Sequence, residues 1–115
     1  MQRSTVPADF LCDVSPDRDP VVVRVFGELD FAVAAQVAAA VRELLDAGFA
    51  RVVIDLRGLR FLDSAGVHTL LSAQRSADRR GSAVSLVRGP PEVHRVFELT
   101  GTESLLSFDG AGVRS

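Results

Sequence analysis

The sequence predicts an α/β fold: a mixed, mostly parallel sheet in the order ββαβαβαβ, with helices packed on it. Three observations predict it. Runs rich in β-branched residues recur at 21–27, 51–56 and 83–87. Between and after them, apolar residues recur at helical spacing. Ahead of them, "FLCDVS" (10–15) reads as a strand and "PDRDP" (16–20) as turn chemistry, which together make a hairpin. Strands joined through helices of this length form crossover units and hence a parallel sheet. The hairpin adds one antiparallel pair.

Each element has its own reason. "VVVRVFG" (21–27) and "RVVIDL" (51–56) are nearly continuous apolar runs, as heavily covered strands need to be. After Asp30, the residues Val33, Val37, Val41, Leu44 and Leu45 mark one helical face. Asp30 can cap that helix and Gly48 can end it. A second helix runs from about Ser64 to Gly81. Val67, Leu70, Leu71 and Gln74 share its buried face, while His68, Thr69, Ser72, Arg75 and Arg79 fall on the other. "AVSLV" (83–87) is the next strand. "GPPEVHRVFELTG" (89–101) opens on proline and closes on glycine, with Val93, Val96 and Phe97 inward. "LLSF" (105–108) reads as a short final strand. Residues 1–9 form an extension, 10–108 the domain, and "DGAGVRS" (109–115) a frayed tail.

The chain suits one domain of 115 residues, with 47% apolar and 24% charged residues. One cysteine, Cys12, excludes an internal disulfide and fits a reducing compartment. With no secretory segment and no membrane-length apolar run, a cytoplasmic protein away from membranes is expected. The net charge of −2 disfavours direct contact with nucleic acid. All thirteen basic residues are arginine, so no phosphate-binding loop with its lysine can be built, and no dinucleotide fingerprint is present. His68 and His94 lie on different helices and read as solvent-facing. Neither a metal nor a cofactor is expected, and no enzyme either. A hydrolase would need a base beside Ser64, and His68, four residues along the same helix, is poorly placed for that.

Attention therefore falls on "RFLDSAGVHTLL" (60–71), where an apolar run turns into a helical pattern. Ser64 has two readings there: a plain helix cap, or a hydroxyl presented for chemistry.

The segments "VFGELD" (25–30) and "VVIDLRGLRFLDSAGV" (52–67), at this spacing and in this order of elements, resemble the STAS domain. Within it they resemble the anti-sigma factor antagonists of bacteria, from about Phe10 to Phe108. Val33 and Ala65 depart slightly from the family pattern, and the longer C-terminal helix of many members is expected to be short or absent here. The resemblance implies a switch. The unmodified domain binds an anti-sigma factor that is also a serine kinase, and so releases a sigma factor. Phosphorylation of the motif serine, here Ser64, ends the binding, and a serine phosphatase resets it. The expected partner surface comprises Asp30, Asp63, Ser64, Ala65, Gly66 and His68, on a monomer or weak dimer. An alternative is a STAS module that serves, unphosphorylated, as a subunit or scaffold of a regulatory or transport assembly; the acceptor serine speaks against it. A phosphate at a helix N-terminus meets free N–H groups and the positive dipole end, so modification should leave the helix intact and act locally. Asp30 is expected mainly as a cap, Asp63 as cap or interface charge, and Asp55 as a carboxylate ordering the loop after its strand.

Overall fold

A computed structural model describes residues 10–15 and 20–108, with the side chains described from residue 20 onward. The expected extension, tail and most of the hairpin turn lie outside the described residues. Strand β1 (Phe10–Ser15) pairs antiparallel with β2 (Val21–Leu29). Helix α1 (Phe31–Asp46) leads to β3 (Arg51–Leu62), parallel to β2. Helix α2 (Ser64–Arg79) leads to β4 (Ala83–Val87), parallel to β3. Helix α3 (Pro91–Leu99) and a 3₁₀ turn (Glu103–Leu105) complete the chain. The sheet order is β1-β2-β3-β4, so each crossover joins neighbours.

All three helices cover one face. Val21, Val23 and Val25 of β2, Val52, Ile54 and Leu56 of β3, and Val84 and Leu86 of β4 meet Val37 and Val41 of α1, Leu70 of α2 and Phe97 of α3 in one core. The alternate residues Val22, Val53 and Val87 form a separate small cluster on the opposite face. The glycines expected to end α1 and α2 have φ of +98° at Gly48 and +76° at Gly81, the left-handed region that glycine enters without steric cost.

Strand β3 is longer than its expected 51–56. Arg24 pairs with Asp55 but Phe26 with Gly58, and Gly27 with Leu59 but Glu28 with Phe61. Each shift inserts one extra residue into β3, which is a β-bulge. Its inward residues therefore run Ile54, Leu56, Leu59, Leu62, stepping by three after Leu56. Both strands thereby reach the same edge, where Leu29 pairs with Leu62.

The expected final strand at 105–108 is absent. Among the described residues, one backbone bond joins this segment to the sheet, from the Leu86 N–H to the Ser107 carbonyl at 2.8 Å. The Gln74 side chain takes the groups that a ladder would use. Its Nε2 donates to the Leu105 carbonyl at 2.8 Å, and its Oε1 accepts from the Ser107 N–H at 2.8 Å.

His94 also departs from expectation. It is 3% exposed, packed edge-on against Phe108 and tilted over Phe97, with Nε2 2.7 Å from Glu103 Oε2. The helical stripe of α3 conceals this, because His94 sits beside Val93 and Phe97 on the inward face.

Candidate functional site

Both helices start at the shared edge of β2 and β3, and carboxylates organise the corner. Asp30 caps α1: its Oδ1 accepts from the N–H groups of Ala32 at 2.9 Å and Val33 at 3.3 Å. Asp63 caps α2, its Oδ1 accepting from the Gly66 N–H at 3.0 Å. Its second oxygen, Oδ2, accepts from the N–H of Phe31, the first residue of α1, at 3.1 Å. The Asp63 N–H in turn donates to the Leu29 carbonyl at 3.3 Å. One aspartate thus ties together the starts of two helices and the end of β2.

Ser64 is therefore not the cap. It occupies the first helical position, is exposed, and its hydroxyl makes no hydrogen bond among the described residues. Capping consumes the Gly66 N–H, and Val67 donates to the Asp63 carbonyl at 3.1 Å. That leaves the N–H groups of Ser64 and Ala65 facing outward at the positive end of α2, whose first turn carries no acidic side chain. His68 is exposed one turn on, whereas Val67, Leu70 and Leu71 are buried.

Gly66, unlike Ser64 and Ala65 before it, is buried and faces inward. A Cβ there would lie 2.8 Å from the Leu29 carbonyl oxygen and 2.6 Å from Leu62 Cδ1. Its role is close packing of α2 on the sheet edge, and through that the placement of Ser64. Asp55 is 4% exposed and holds Arg57 through the backbone N–H at 3.0 Å, Nε at 3.0 Å and Nη2 at 2.8 Å. Burial pushes its carboxyl up, but hydrogen bonds from the Arg57 side chain and backbone, with the charges of Arg57 and Arg24, outweigh this and leave it below its ordinary range. It orders the first bulge of β3.

Sequence reasoning missed two groups. One is apolar: Phe31 is 82% exposed and Phe61 46% exposed, both close in sequence to the capping aspartates. Asking which large apolar residue falls off the α1 stripe would have found Phe31. The other is His94, Glu98 and Glu103, whose possible ligand atoms lie within 4.8 Å of one another. Glu98 follows His94 by one helical turn, a spacing readable in the sequence. Here Glu103 Oε2 already accepts from His94 Nε2, with Arg88 Nη2 3.5 Å from the same oxygen, so the cluster ties the 3₁₀ turn to α3.

A family model described as "Mlab, STAS domain" matches residues 12–107, and the chain belongs to the STAS-domain family. It is 33% identical over 85 residues to the anti-sigma F factor antagonist of Lysinibacillus sphaericus, covering 73% of each chain. Its fold is similar to the crystal structure of an anti-sigma factor antagonist from Mycobacterium paratuberculosis, with TM-score 0.76, 26% identity, and coverage of 90% of this chain and 87% of that one. It is also similar to the anti-sigma factor antagonist SpoIIAA in its unphosphorylated form, with TM-score 0.67, 28% identity and 83% coverage of each. A structure of Bacillus SpoIIAA in the phosphorylated form gives TM-score 0.64 at 25% identity, over 82% of this chain and 86% of that one.

Proposed function

We propose that residues 10–108 act as an anti-sigma factor antagonist switched at Ser64. The unmodified domain binds an anti-sigma factor with serine kinase activity and frees a sigma factor. Transfer of phosphate to Ser64 ends the binding, and a serine phosphatase reverses it. The kinship with anti-sigma factor antagonists supports the general role. The observation that carries the switch is the division of labour between Asp63 and Ser64. Asp63 caps α2, so the Ser64 hydroxyl stands exposed and unspent at the first helical position.

The chemistry suits that position. Phosphate there gains the outward N–H groups and the helix dipole, so the modified domain stays folded. The same phosphate adds about −1.5 to −2 charges beside Asp63 and within reach of any surface that covers Ser64. Disrupting one desolvated contact of this kind costs about 2–5 kcal/mol, or roughly 30- to several-thousand-fold in affinity. Ala65 and His68 belong to the covered surface. Asp30, Asp63 and Gly66 hold it in shape, and the two aspartates add its negative charge. The role asks no catalysis of this chain. A sigma factor and ATP both belong to the cytoplasm, and among the described residues no helix is long and apolar enough to cross a membrane.

The test is intact-mass analysis after incubation with ATP and the anti-sigma kinases of the source bacterium, each purified. One phosphate is expected on the wild type and none on Ser64→Ala. Ser64→Asp should melt cooperatively near the wild-type temperature and bind the kinase far more weakly. A phosphate that persists in Ser64→Ala, mapped to Thr69 or Ser72, overturns the assignment.

A further inference from the structure

We infer that Phe31 is the apolar anchor of the partner complex, seated in a hydrophobic pocket of the anti-sigma factor beside its kinase site. The inference rests on the reading of Ser64 given above and adds the residue that supplies affinity and the chemistry that receives it.

Phe31 has no task within the domain. It is 82% exposed, at the first position of α1. The two positions that can fix a helix entry by apolar contact, the residue before the cap and the fourth helical residue, are Leu29 and Ala34, both buried, and Phe31 is neither of them. Capping uses the Asp30 carboxylate, and the Phe31 backbone N–H goes to Asp63. Nothing in the fold therefore calls for a phenyl ring at this position, and exposing one is unfavourable.

Its surroundings point to a covering protein. Ala32 and Ala35 flank it and are exposed. The first turn of neither α1 nor α2 carries an acidic side chain, and the caps spend their carboxylates on backbone N–H groups. The result is a surface of Phe31, Ala32, Ala35, Ser64, Ala65 and His68 with no carboxylate beyond those of the two capping aspartates. The Phe31 N–H lies 3.1 Å from a carboxylate oxygen of Asp63, the residue before Ser64. A kinase that delivers phosphate to the Ser64 oxygen must bring its own surface into contact with this corner. Large aromatic side chains at the centre of such a contact dominate its affinity. The arrangement also sharpens the switch, because a phosphate would have to be buried beside an apolar anchor rather than in a solvated rim.

The experiment measures binding and phosphorylation of wild type, Phe31→Ala, Phe31→Leu and Leu99→Ala by each purified anti-sigma kinase, with melting temperatures taken in parallel. Leu99 is 74% exposed at the far end of α3 and serves as the control. Phe31→Ala should weaken binding roughly tenfold to a hundredfold. It should raise KM for the protein substrate by a similar factor, leaving kcat within about twofold. Its melting temperature should stay unchanged, Phe31→Leu should recover part of the affinity, and Leu99→Ala should match wild type. Wild-type phosphorylation at Ser64 with unchanged binding by Phe31→Ala overturns this inference alone. Absence of wild-type binding to every anti-sigma kinase overturns the proposed function and this inference with it. Sedimentation as a dimer that Phe31→Ala dissolves would make a second copy the occupant, which also overturns it.

Discussion

Asp63 can be dissected one oxygen at a time. Its carboxylate accepts two backbone N–H groups from different helices, Gly66 at 3.0 Å and Phe31 at 3.1 Å. Asp63→Ala removes both. Loss of a cap costs about 1 kcal/mol. Loss of a bond to a charged acceptor costs about 1.5–3 kcal/mol, and here the lower end applies because solvent reaches the Phe31 N–H. The sum is about 2–3 kcal/mol, a fall of roughly 8–24 °C in melting temperature for a domain of this size. Asp63→Asn keeps one acceptor oxygen and turns an amide NH₂ toward the other donor. It should lose about half as much. Urea and thermal unfolding of the three proteins at neutral pH should rank them Asp, Asn, Ala in evenly spaced steps. An asparagine variant as stable as wild type would show that only one of the two bonds matters. An alanine variant within about 0.5 kcal/mol of wild type would refute the staple altogether.

Gly66→Ala gains up to about 1 kcal/mol of helix propensity but forces a methyl against the Leu29 carbonyl at 2.8 Å. Overpacking against backbone costs about 2–3 kcal/mol, so calorimetry should find a net loss of about 1–2 kcal/mol; a gain would mean that α2 lifts freely. Leu70→Ala should cost about 2–5 kcal/mol, because Leu70 is fully buried. His68→Ala, on the exposed side of the same helix, should stay within about 0.5 kcal/mol in the same melts. Asp55→Asn should cost about 1–3 kcal/mol, toward the low end because half-exposed Arg57 can rehydrate. The folded Asp55 carboxyl titrates below its ordinary 3.8, so its contribution is present above that pH and is lost as pH falls through the folded value. Stability measured from pH 5 downward should therefore decline less steeply in Asp55→Asn than in wild type.

The elements with a single uninterrupted period were legible in the sequence. The α1 stripe of Val33, Val37, Val41 and Leu45 and the α2 stripe of Val67, Leu70 and Leu71 are buried as their spacing requires. The second half of β3 was illegible because its two bulges space Leu56, Leu59 and Leu62 by three, which no longer reads as a strand. The last strand failed for another reason. "LLSF" has strand composition, but a glutamine 31 residues upstream in the sequence claims its Leu105 carbonyl, and propensity does not register so distant a partner. At the site, the segment and the exposed serine were readable. Which of two adjacent residues caps the helix was not, since aspartate and serine cap equally well. Phe31 was overlooked because apolar residues are sought inward.

The Gln74 side chain has a consequence for behaviour in crowded solution. Strand β4 is an edge of the sheet, only five residues long, and edges with unpaired amides template the addition of strands from other molecules. Gln74 acts as a false neighbour. It offers one carbonyl and one NH₂, like a peptide unit, and so holds residues 105–107 over the edge without letting them become a strand with an open edge of its own. The domain thus carries a built-in guard against edge-to-edge aggregation. The guard costs the sequence a single amide on a helix whose other duties lie at the opposite end.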